Sequence, residues 1–262
     1  MQKDNVPETK KQDERLGNAP LGRLMASMAF PAVAAQLINV LYNIVDRIYI
    51  GHIPGEGDVA LTGVGVTFPI IMLVSAFSAF AGMGGAPLAS IELGKKNYEK
   101  AERILGNSAG LLLGFSVVLT VLFSVFKTPV LYAFGASGAT IGYAESYIGI
   151  YLAGTLFVQA ALGLNTFISG QGAAKTAMVS VLIGAVINIC LDPVFIFLLH
   201  MGVKGAALAT VISQAVSALW VVRFLTSEKS VVKLKVSYMK PEAETVKQIA
   251  ALGVSPFIMQ ST

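Results

Sequence analysis

The stretch from Pro31 to Gly51 constrains the fold most, because it is apolar enough to cross a bilayer yet carries a polar stripe. The polar residues recur at i, i+3, i+7 and i+10, which places them within roughly 80° of one another on a helix. They are Gln36, Asn39, Asn43 and Asp46. An ionisable residue inside a membrane helix is costly and by default marks a binding site or pathway, so Asp46 is a candidate functional residue. The alternative is a short amphipathic helix in a soluble core.

The composition favours the membrane alternative. Hydrophobic residues make up 55% of the chain, charged residues only 13%, and the mean hydropathy is +0.70, whereas soluble domains are about 25% charged. The sequence has no pattern of alternating strands, so the predicted fold class is an all-α membrane protein. Cys190 is the single cysteine, which excludes a disulfide framework.

The sequence gives no sign of catalytic chemistry. It contains no GxxxxGKS/T phosphate-binding loop and no HExxH or CxxC pattern, so we predict no catalytic residue and no enzyme activity. His52 and His200 both fall at the ends of apolar runs, which is a poor pattern for a metal site. We therefore expect no cofactor, and no metal beyond a coupling Na⁺ ion.

Six apolar runs are each long enough to cross a bilayer once. They cover about residues 24–50, 61–89, 106–126, 147–168, 177–199 and 206–224. The predicted organisation is a polar tail over residues 1–23, a six-helix lobe over residues 24–226, a loop over residues 227–248, and the start of a seventh helix over residues 249–262. Because this last run is too short to cross, we expect a fragment or a truncated gene product.

The distribution of Lys and Arg predicts the orientation of these runs. With the N-terminus in the cytoplasm, sixteen of them lie in cytoplasmic segments, and only Lys127 and Lys204 lie outside. Arg47 falls within the first run. The positive-inside rule therefore predicts a multi-pass protein of the inner (plasma) membrane with a cytoplasmic N-terminus.

Four polar residues from three runs are predicted to reach similar depths. At 1.5 Å per residue, Asp46, Asp192 and Thr210 lie roughly 8–12 Å from the outer ends of their helices, and Asn188 lies one turn below Asp192. Two carboxyl groups close together in a low dielectric favour a shared proton, and the same oxygens suit Na⁺. This pattern favours a cation-coupling site. In the alternative interpretation, Asp46 pairs with Arg47 or a lipid, and the others only join helices.

Further polar residues could line a cavity, although such residues often serve only helix packing. The candidates by pattern are Gln36, Asn39, Asn43, Gln159 and Gln214. Proline inside a helix removes one hydrogen bond, so Pro31 and Pro193 predict kinks, and Pro193 frees the carbonyl group of Ile189 as a ligand or a bending point. The GxxxGxxxG run at residues 106–114 predicts close packing.

Several segments together resemble the multidrug and toxic compound extrusion (MATE) transporters. The most specific are NIVD at residues 43–46, NICLDPVFIF at residues 188–197 and GVKGAALATVIS at residues 202–213. The segments GLNTFISGQGAAKTAM and ELGKKNYEKAERIL are also similar. The resemblance covers about residues 21–262, which correspond to the N-terminal half of a transporter, and is greatest to the bacterial branch of DNA-damage-inducible transporters.

The resemblance implies one lobe of a transporter with two six-helix bundles that rock between outward-open and inward-open states. The residues that match the family's cation-coupling cluster are Asp46, Asn188, Asp192 and Thr210. Tyr42 and Asn165 match positions at which the family has cavity residues. Many members carry Arg before the glycine of the fourth connector, where this chain has Ser169. No role of that Arg is carried over.

The functional hypothesis is a secondary antiporter that exports amphipathic, cationic compounds in exchange for H⁺ or Na⁺. Its expected partners are small amphipathic substrates, the lipid bilayer and a missing C-terminal lobe, with no nucleic acid. One alternative is a flippase for lipid-linked sugars, which would need several cationic residues in its cavity, whereas Arg47 is the one Lys or Arg placed well inside a run. Another alternative is a truncated membrane module that does not transport.

Overall fold

The computed structural model describes residues 21–261, and this part of the chain consists of helices and their connections, with no strand. The α-helices are α1 (Leu21–Gly51), α2 (Gly57–Val66), α3 (Phe68–Gly94), α4 (Tyr98–Ala133), α5 (Ile141–Ala153), α6 (Thr155–Gly163), α7 (Asn165–Gly170), α8 (Ala174–Pro193), α9 (Val203–Thr226) and α10 (Ala243–Ser261). A π-helical segment, Val194–Leu198, continues α8. A short 3₁₀ helix, Val236–Tyr238, precedes α10.

Five of these helices are long and apolar enough to cross a membrane. A sixth span is formed if α5 is counted together with the helical residues Thr155–Gly170, from which it is separated by a bend. The prediction of an all-α membrane bundle is therefore confirmed. Large apolar side chains remain exposed on α1 and α4, including Leu37, Leu41, Val118 and Val125. Such a surface suits contact with lipid or with further protein.

The second predicted span is divided into two helices. The sequence predicts one run over residues 61–89, but α2 ends at Val66 and α3 begins at Phe68. Pro69 lies in the first turn of α3, where its missing N–H has no intrahelical partner to lose. Thr67 at the break is fully buried, and its hydroxyl donates to the carbonyl oxygen of Val64 at 2.7 Å.

The fourth predicted span bends by 61° at Gly154, between α5 and the helical residues Thr155–Gly170. Gly154 is needed here because α9 passes close by. A methyl group at this position would lie 2.5 Å from the Cγ2 atom of Val211 on α9. The small residue thus lets two helices approach at the point where one of them changes direction.

The charged connector before the third span is helical, as predicted, and is continuous with that span. Asn97 caps α4 by accepting a hydrogen bond from the backbone N–H of Lys100 at 3.3 Å. At 1.5 Å per residue α4 is roughly 50 Å long, which exceeds the ~30 Å hydrocarbon core of a bilayer. Its charged first turns therefore extend beyond the apolar layer.

The buried core forms two apolar clusters. We call the side of the bundle on which α1 begins the near side, and the side on which α1 ends the far side. The near cluster includes Ile104, Leu105, Phe167, Leu225 and Ile249. The far cluster includes Ile50, Ile70, Leu131, Ile148 and Ile196. The polar residues of the candidate site lie between these two clusters.

The segment of residues 227–242, which we call the strap, is bound tightly to the near side. Oε1 of Gln171 accepts hydrogen bonds from the backbone N–H groups of Val231 (2.8 Å) and Val232 (3.2 Å) and from the hydroxyl of Ser230 (3.1 Å). Lys235 pairs with Glu102 at 2.6 Å, and this carboxylate raises the pKa of Lys235. The strap is therefore part of the packed lobe.

Asn107 on α4 holds the end of the strap. Its Nδ2 atom donates to the carbonyl oxygen of Tyr238 at 3.3 Å, and its Oδ1 atom accepts from the backbone N–H of Glu242 at 2.5 Å. The chain then enters α10 at Ala243, six residues earlier than the predicted start of the seventh helix. This helix packs along α3, with the ring of Phe257 5.0 Å from that of Phe77.

The GxxxGxxxG run on α4 accommodates the strap and not another helix. A methyl group at Gly106 would lie 2.5 Å from Cβ of Tyr238, and one at Gly110 would overlap the carbonyl oxygen of Met239. Gly114 has open space around it. The same stretch includes GNSAG, a nucleophile-elbow pattern, but Ser108 is fully buried inside a continuous helix and not on a strand-to-helix turn.

We expect the substitution Gly110→Ala to destabilise the lobe by about 1–3 kcal/mol, because the added methyl overpacks against the strap. Gly114→Ala is the matched control on the same helix, and it should be neutral or stabilising by about 0.5–1 kcal/mol. Denaturant unfolding in detergent measures both values. Hydrogen exchange should show faster exchange of the Tyr238 and Met239 amides in Gly110→Ala alone. Equal behaviour of the two variants would contradict the strap contact.

Candidate cation-coupling site

Two carboxyl groups face each other inside the bundle. Asp46 comes from the last turns of α1 and Asp192 from the end of α8, and these two helices pack against each other. The two carboxyl groups are close enough to interact with each other. Their exposed fractions are 8% and 0%. Two such groups in a buried setting favour a state in which one proton or one cation lies between them.

Asn188 and Thr210 complete the cluster from α8 and α9. Nδ2 of Asn188 donates to Oδ1 of Asp192 at 3.3 Å and lies 3.5 Å from Oγ1 of Thr210. The i, i+4 spacing on α8 places Asn188 and Asp192 on one face. The structure therefore brings together all four residues that the sequence singles out by depth.

Three oxygens of this cluster are buried without a hydrogen-bond partner among residues 21–261. They are Oδ1 of Asp46, Oδ1 of Asn188 and Oδ2 of Asp192. Buried polar atoms in proteins are nearly always paired, so an unpaired set requires an explanation. Carboxylate and amide oxygens are the ligands that hard cations prefer. The donor set fits a proton or a Na⁺ ion.

A second layer of tyrosines surrounds the cluster. The hydroxyl of Tyr147 on α5 interacts with Thr210, and the hydroxyl of Tyr42 on α1 interacts with Gln214 on α9. Tyr147 and Tyr151 are both buried and stack with ring centroids 6.5 Å apart. The sequence analysis misses Tyr147, although its i, i+4 spacing to Tyr151 in an apolar run was a usable signal.

Arg47, the alternative partner for Asp46, is directed elsewhere. Its guanidinium group lies over the ring of Phe68, 5.1 Å from the centroid, and the side chain is exposed. Arg47 therefore acts on Asp46 through attraction at longer range.

The two prolines that predict kinks behave differently. Pro193 ends α8, and the chain continues as the π-helical segment, in which the backbone N–H of Leu199 donates to Val194 at 2.9 Å. Pro31 is buried within α1, which is one helix from Leu21 to Gly51. The change of helix type thus occurs directly after Asp192, where it sets the position of the carboxyl group.

A cavity of about 370 Å³ lies on the near side of the cluster, and we call it the near cavity. Residues from α1, α3, α6, α7, α8 and α9 line it. Those named by the sequence analysis are Pro31, Gln36, Asn39, Tyr42, Asn165, Ser169 and Gln214. Asn165 is fixed there, because its Nδ2 atom donates to the carbonyl oxygen of Ala177 at 3.2 Å. None of the described lining residues is charged.

The structure places two of the seven cavity candidates elsewhere. Gln159 is fully buried between α6 and α3, where it donates to the carbonyl oxygen of Val74 at 3.1 Å and accepts from Ser78 at 2.9 Å. It serves helix packing because both ends of its amide are bonded to α3. Asn43 is exposed, and its Nδ2 atom donates to the carbonyl oxygen of Asn39 at 2.7 Å.

Comparison with protein-family models gives a match to MatE over residues 31–194, which is more than half of the chain. The chain belongs to the MatE family. This confirms the resemblance to the multidrug and toxic compound extrusion transporters. The matched segment includes Asp46, Asn188 and Asp192, and ends directly after Pro193.

A curated relative in the MatE family is the multidrug export protein MepA of Staphylococcus haemolyticus, which is 29% identical over 237 residues, 90% of this chain. A MOP superfamily transporter from Pyrococcus furiosus has a TM-score of 0.87 at 27% identity over 95% of this chain. An outward-facing multidrug resistance MATE transporter has a TM-score of 0.83 at 28% identity over 90%. The chain spans about half the length of these proteins, 52%, 55% and 52% respectively.

Replacing Gln159 tests its structural assignment. Gln159→Leu should lower the free energy of unfolding by about 1–3 kcal/mol, because Ser78 and the carbonyl group of Val74 lose a buried partner. Gln36→Leu, at an exposed position on the near cavity, should change it by less than about 0.5 kcal/mol. Thermal or denaturant unfolding in detergent provides the comparison. If Gln36→Leu proves the more destabilising of the two, the assignment is wrong.

Proposed function

We propose that this chain is one lobe of a secondary antiporter, which exports amphipathic, cationic compounds in exchange for H⁺ or Na⁺. The observation that carries the proposal is the buried pair Asp46 and Asp192 with its unpartnered oxygens. The relative MepA is named a multidrug export protein, which supports drug export as the class of function. The proposed location is the inner (plasma) membrane, with the N-terminus in the cytoplasm.

Coupling follows from the position of the pair between two helices. With no cation present, two carboxylates of like charge repel, and a single proton or Na⁺ ion between them removes the repulsion and attracts both. Binding therefore draws the end of α1 toward α8. Since α1 packs mainly on α8, with smaller contacts to α2 and α9, a change at this pair acts on the main packing contact of α1.

The same helix connects the pair to the near cavity. Pro31, Gln36, Asn39 and Tyr42 all lie on α1 and line that cavity. A shift of α1 on cation binding would thus change the shape of the cavity and its affinity for substrate. A ligand drives a conformational change only by binding one state more tightly, and the carboxyl pair supplies such a difference.

The lining of the near cavity favours export of amphipathic compounds over flipping of lipid-linked sugars. A pyrophosphate group would require cationic side chains, and the described lining residues are neutral. Amide, hydroxyl and apolar groups instead suit compounds that combine apolar rings with polar groups. A central substrate cavity of the two-lobe architecture also needs a second lobe, which the resemblance implies.

Infrared difference spectroscopy on the purified chain tests the coupling site. A band from a protonated, buried carboxyl group should disappear when Na⁺ is added or when the pH is raised. The band should be missing in Asp192→Asn and present in Asp58→Asn, the control at an exposed carboxylate on α2. A wild-type spectrum that responds to neither Na⁺ nor pH would contradict the proposal and favour a non-transporting module.

Transport itself is tested with the gene in its full reading frame. In everted vesicles, Asp192→Asn should reduce gradient-driven uptake of a cationic dye at least tenfold, while Asp58→Asn leaves uptake unchanged. Imposed H⁺ and Na⁺ gradients, applied separately, identify the coupling ion. Undiminished uptake in Asp192→Asn would eliminate the carboxyl pair as the coupling site.

A further inference from the structure

A second cavity, which we call the far cavity, lies at the far side of the bundle. Its volume is about 870 Å³, more than twice that of the near cavity. It is bounded by the turn after α1, the start of α5, the π-helical segment and the start of α9. Its lining includes Glu56, Tyr143, Ser146, Ile196, Val203 and Lys204. The proposed coupling mechanism assigns it no role.

Along three separate helices, residues of the far cavity lie on the far side of the cation cluster. Tyr143 precedes Tyr147 by one turn on α5, and Ile196 follows Asp192 by one turn after α8. Val203 precedes Thr210 by two turns on α9. At 1.5 Å per residue these offsets are roughly 6–11 Å along each helix. On all three helices, the lining of the far cavity therefore lies beyond the cluster, toward the far side.

The near cavity lies on the near side of the cluster, at a similar offset along the helices. Tyr42 precedes Asp46 by one turn on α1, and Gln214 follows Thr210 by one turn on α9. The cluster of Asp46, Asn188, Asp192 and Thr210 therefore lies between two cavities, with about one to two helical turns between it and each. A cation can reach a site placed in this way from one cavity and leave it into the other.

A thin layer of buried side chains closes the cluster toward the far cavity. Ile50 and Ile196 are apolar and 0% and 3% exposed, while Tyr147 carries the hydroxyl group of this layer, which interacts with Thr210. Rotation of one phenol ring would open a polar connection. The apolar members exclude water in its absence.

The titratable groups at the mouth of the far cavity include Glu56, His200 and Lys204, all of them exposed. The carboxyl group of Glu56 lies near enough to the hydroxyl of Tyr143 to interact with it. Tyr143 and the half-buried Ser146 continue the polar surface inward from this carboxylate toward Tyr147. A cation that has passed the rim thus meets carboxyl and hydroxyl oxygens along α5.

We propose that the far cavity is the vestibule through which a monovalent cation, H⁺ or Na⁺, reaches Asp46 and Asp192 from outside. Tyr147 is the positioning residue that separates vestibule from site. The inference rests on the proposed coupling function and adds a route to it that is distinct from the near cavity. Substrate and coupling ion then approach the cluster from opposite sides.

The test introduces one thiol into each cavity and blocks it after folding. Ser146→Cys places a thiol in the vestibule, and Ser169→Cys, at a half-buried position on the near cavity, is the matched control. Both are made in a Cys190→Ala background, which removes the single native thiol. The full chain in sealed liposomes is treated with a bulky, membrane-impermeant maleimide, which is added outside in one sample and trapped inside in another, so that each thiol is blocked from the side of its own cavity. The expected result is labelling of the Ser146→Cys variant from the face that carries His52 and His200.

The rate at which a cation reaches the pair is then measured. Liposomes equilibrated at low pH receive external Na⁺ or base, and a membrane-permeant carbodiimide that reacts with protonated carboxyl groups is added after increasing delays. Mass spectrometry reports when Asp46 and Asp192 become protected. Blocking the thiol of Ser146→Cys should slow the onset of protection at least tenfold and leave its final extent unchanged. Blocking the thiol of Ser169→Cys should leave the onset unchanged.

The outcomes separate this inference from the function on which it rests. Full protection at an unchanged rate in the blocked Ser146→Cys variant overturns the vestibule and leaves the coupling site intact. Failure of the maleimide to label this variant from that face also overturns it. Failure of unmodified protein to become protected by either Na⁺ or base overturns the coupling site itself, and the vestibule with it. The proposal is supported only by a slow onset that is specific to the blocked Ser146→Cys variant.

Discussion

Two carboxyl groups buried between α1 and α8 are the interaction on which the arrangement of this lobe depends. Asp46 and Asp192 would repel each other strongly in a low dielectric if both were charged and unaccompanied. The surrounding structure compensates only in part, because the amide of Asn188 donates to Asp192 and is itself shared with the hydroxyl of Thr210. A bundle that served stability alone would place apolar side chains here, since buried charged pairs rarely add net stability. The retained polar cluster therefore points to ion binding.

The polar cluster forms a layer between the near and far apolar clusters, and this layer separates the two cavities. Helices α1, α5, α8 and α9 each contribute at least one polar residue to the layer, and apolar residues lie above and below it. The layer is thin because the helices cross where small residues allow close approach, as at Gly154 beside α9. A thin polar partition between two cavities is the geometry that exchange of two solutes requires.

The sequence predicted those features that depend on spacing along one helix. Counting residues from helix ends placed Asp46, Asp192 and Thr210 at similar depth, and the structure brings them together. The sequence pattern could not distinguish Gln159 from Gln214, because both fall on polar faces and only the neighbouring helix decides which face meets a cavity. Tyr147 was missed because it lies in an apolar run, where only its i, i+4 spacing to Tyr151 distinguishes it.

The glycine run on α4 shows a related limit of sequence patterns. GxxxGxxxG signals that something approaches closely, but not what it is, and here the strap takes the place of a helix. The polar anchors Gln171 and Asn107 were equally ambiguous in sequence. Their partners are backbone groups more than 50 residues away, which no local pattern encodes. Likewise Pro69 begins a helix and does not kink one.

The packing of α1 has a consequence for biosynthesis. Its main partner is α8, so this helix must wait in the membrane for a helix that is made much later. At roughly 5–20 residues per second, synthesis from Asp46 to Asp192 takes on the order of 10–30 s. Throughout that interval α1, which carries the Asp46 carboxyl group in its last turns, lacks the surface of α8 against which it packs. The insertion machinery or a neighbouring helix must shelter α1 during this time, and the carboxyl pair is assembled only when α8 arrives.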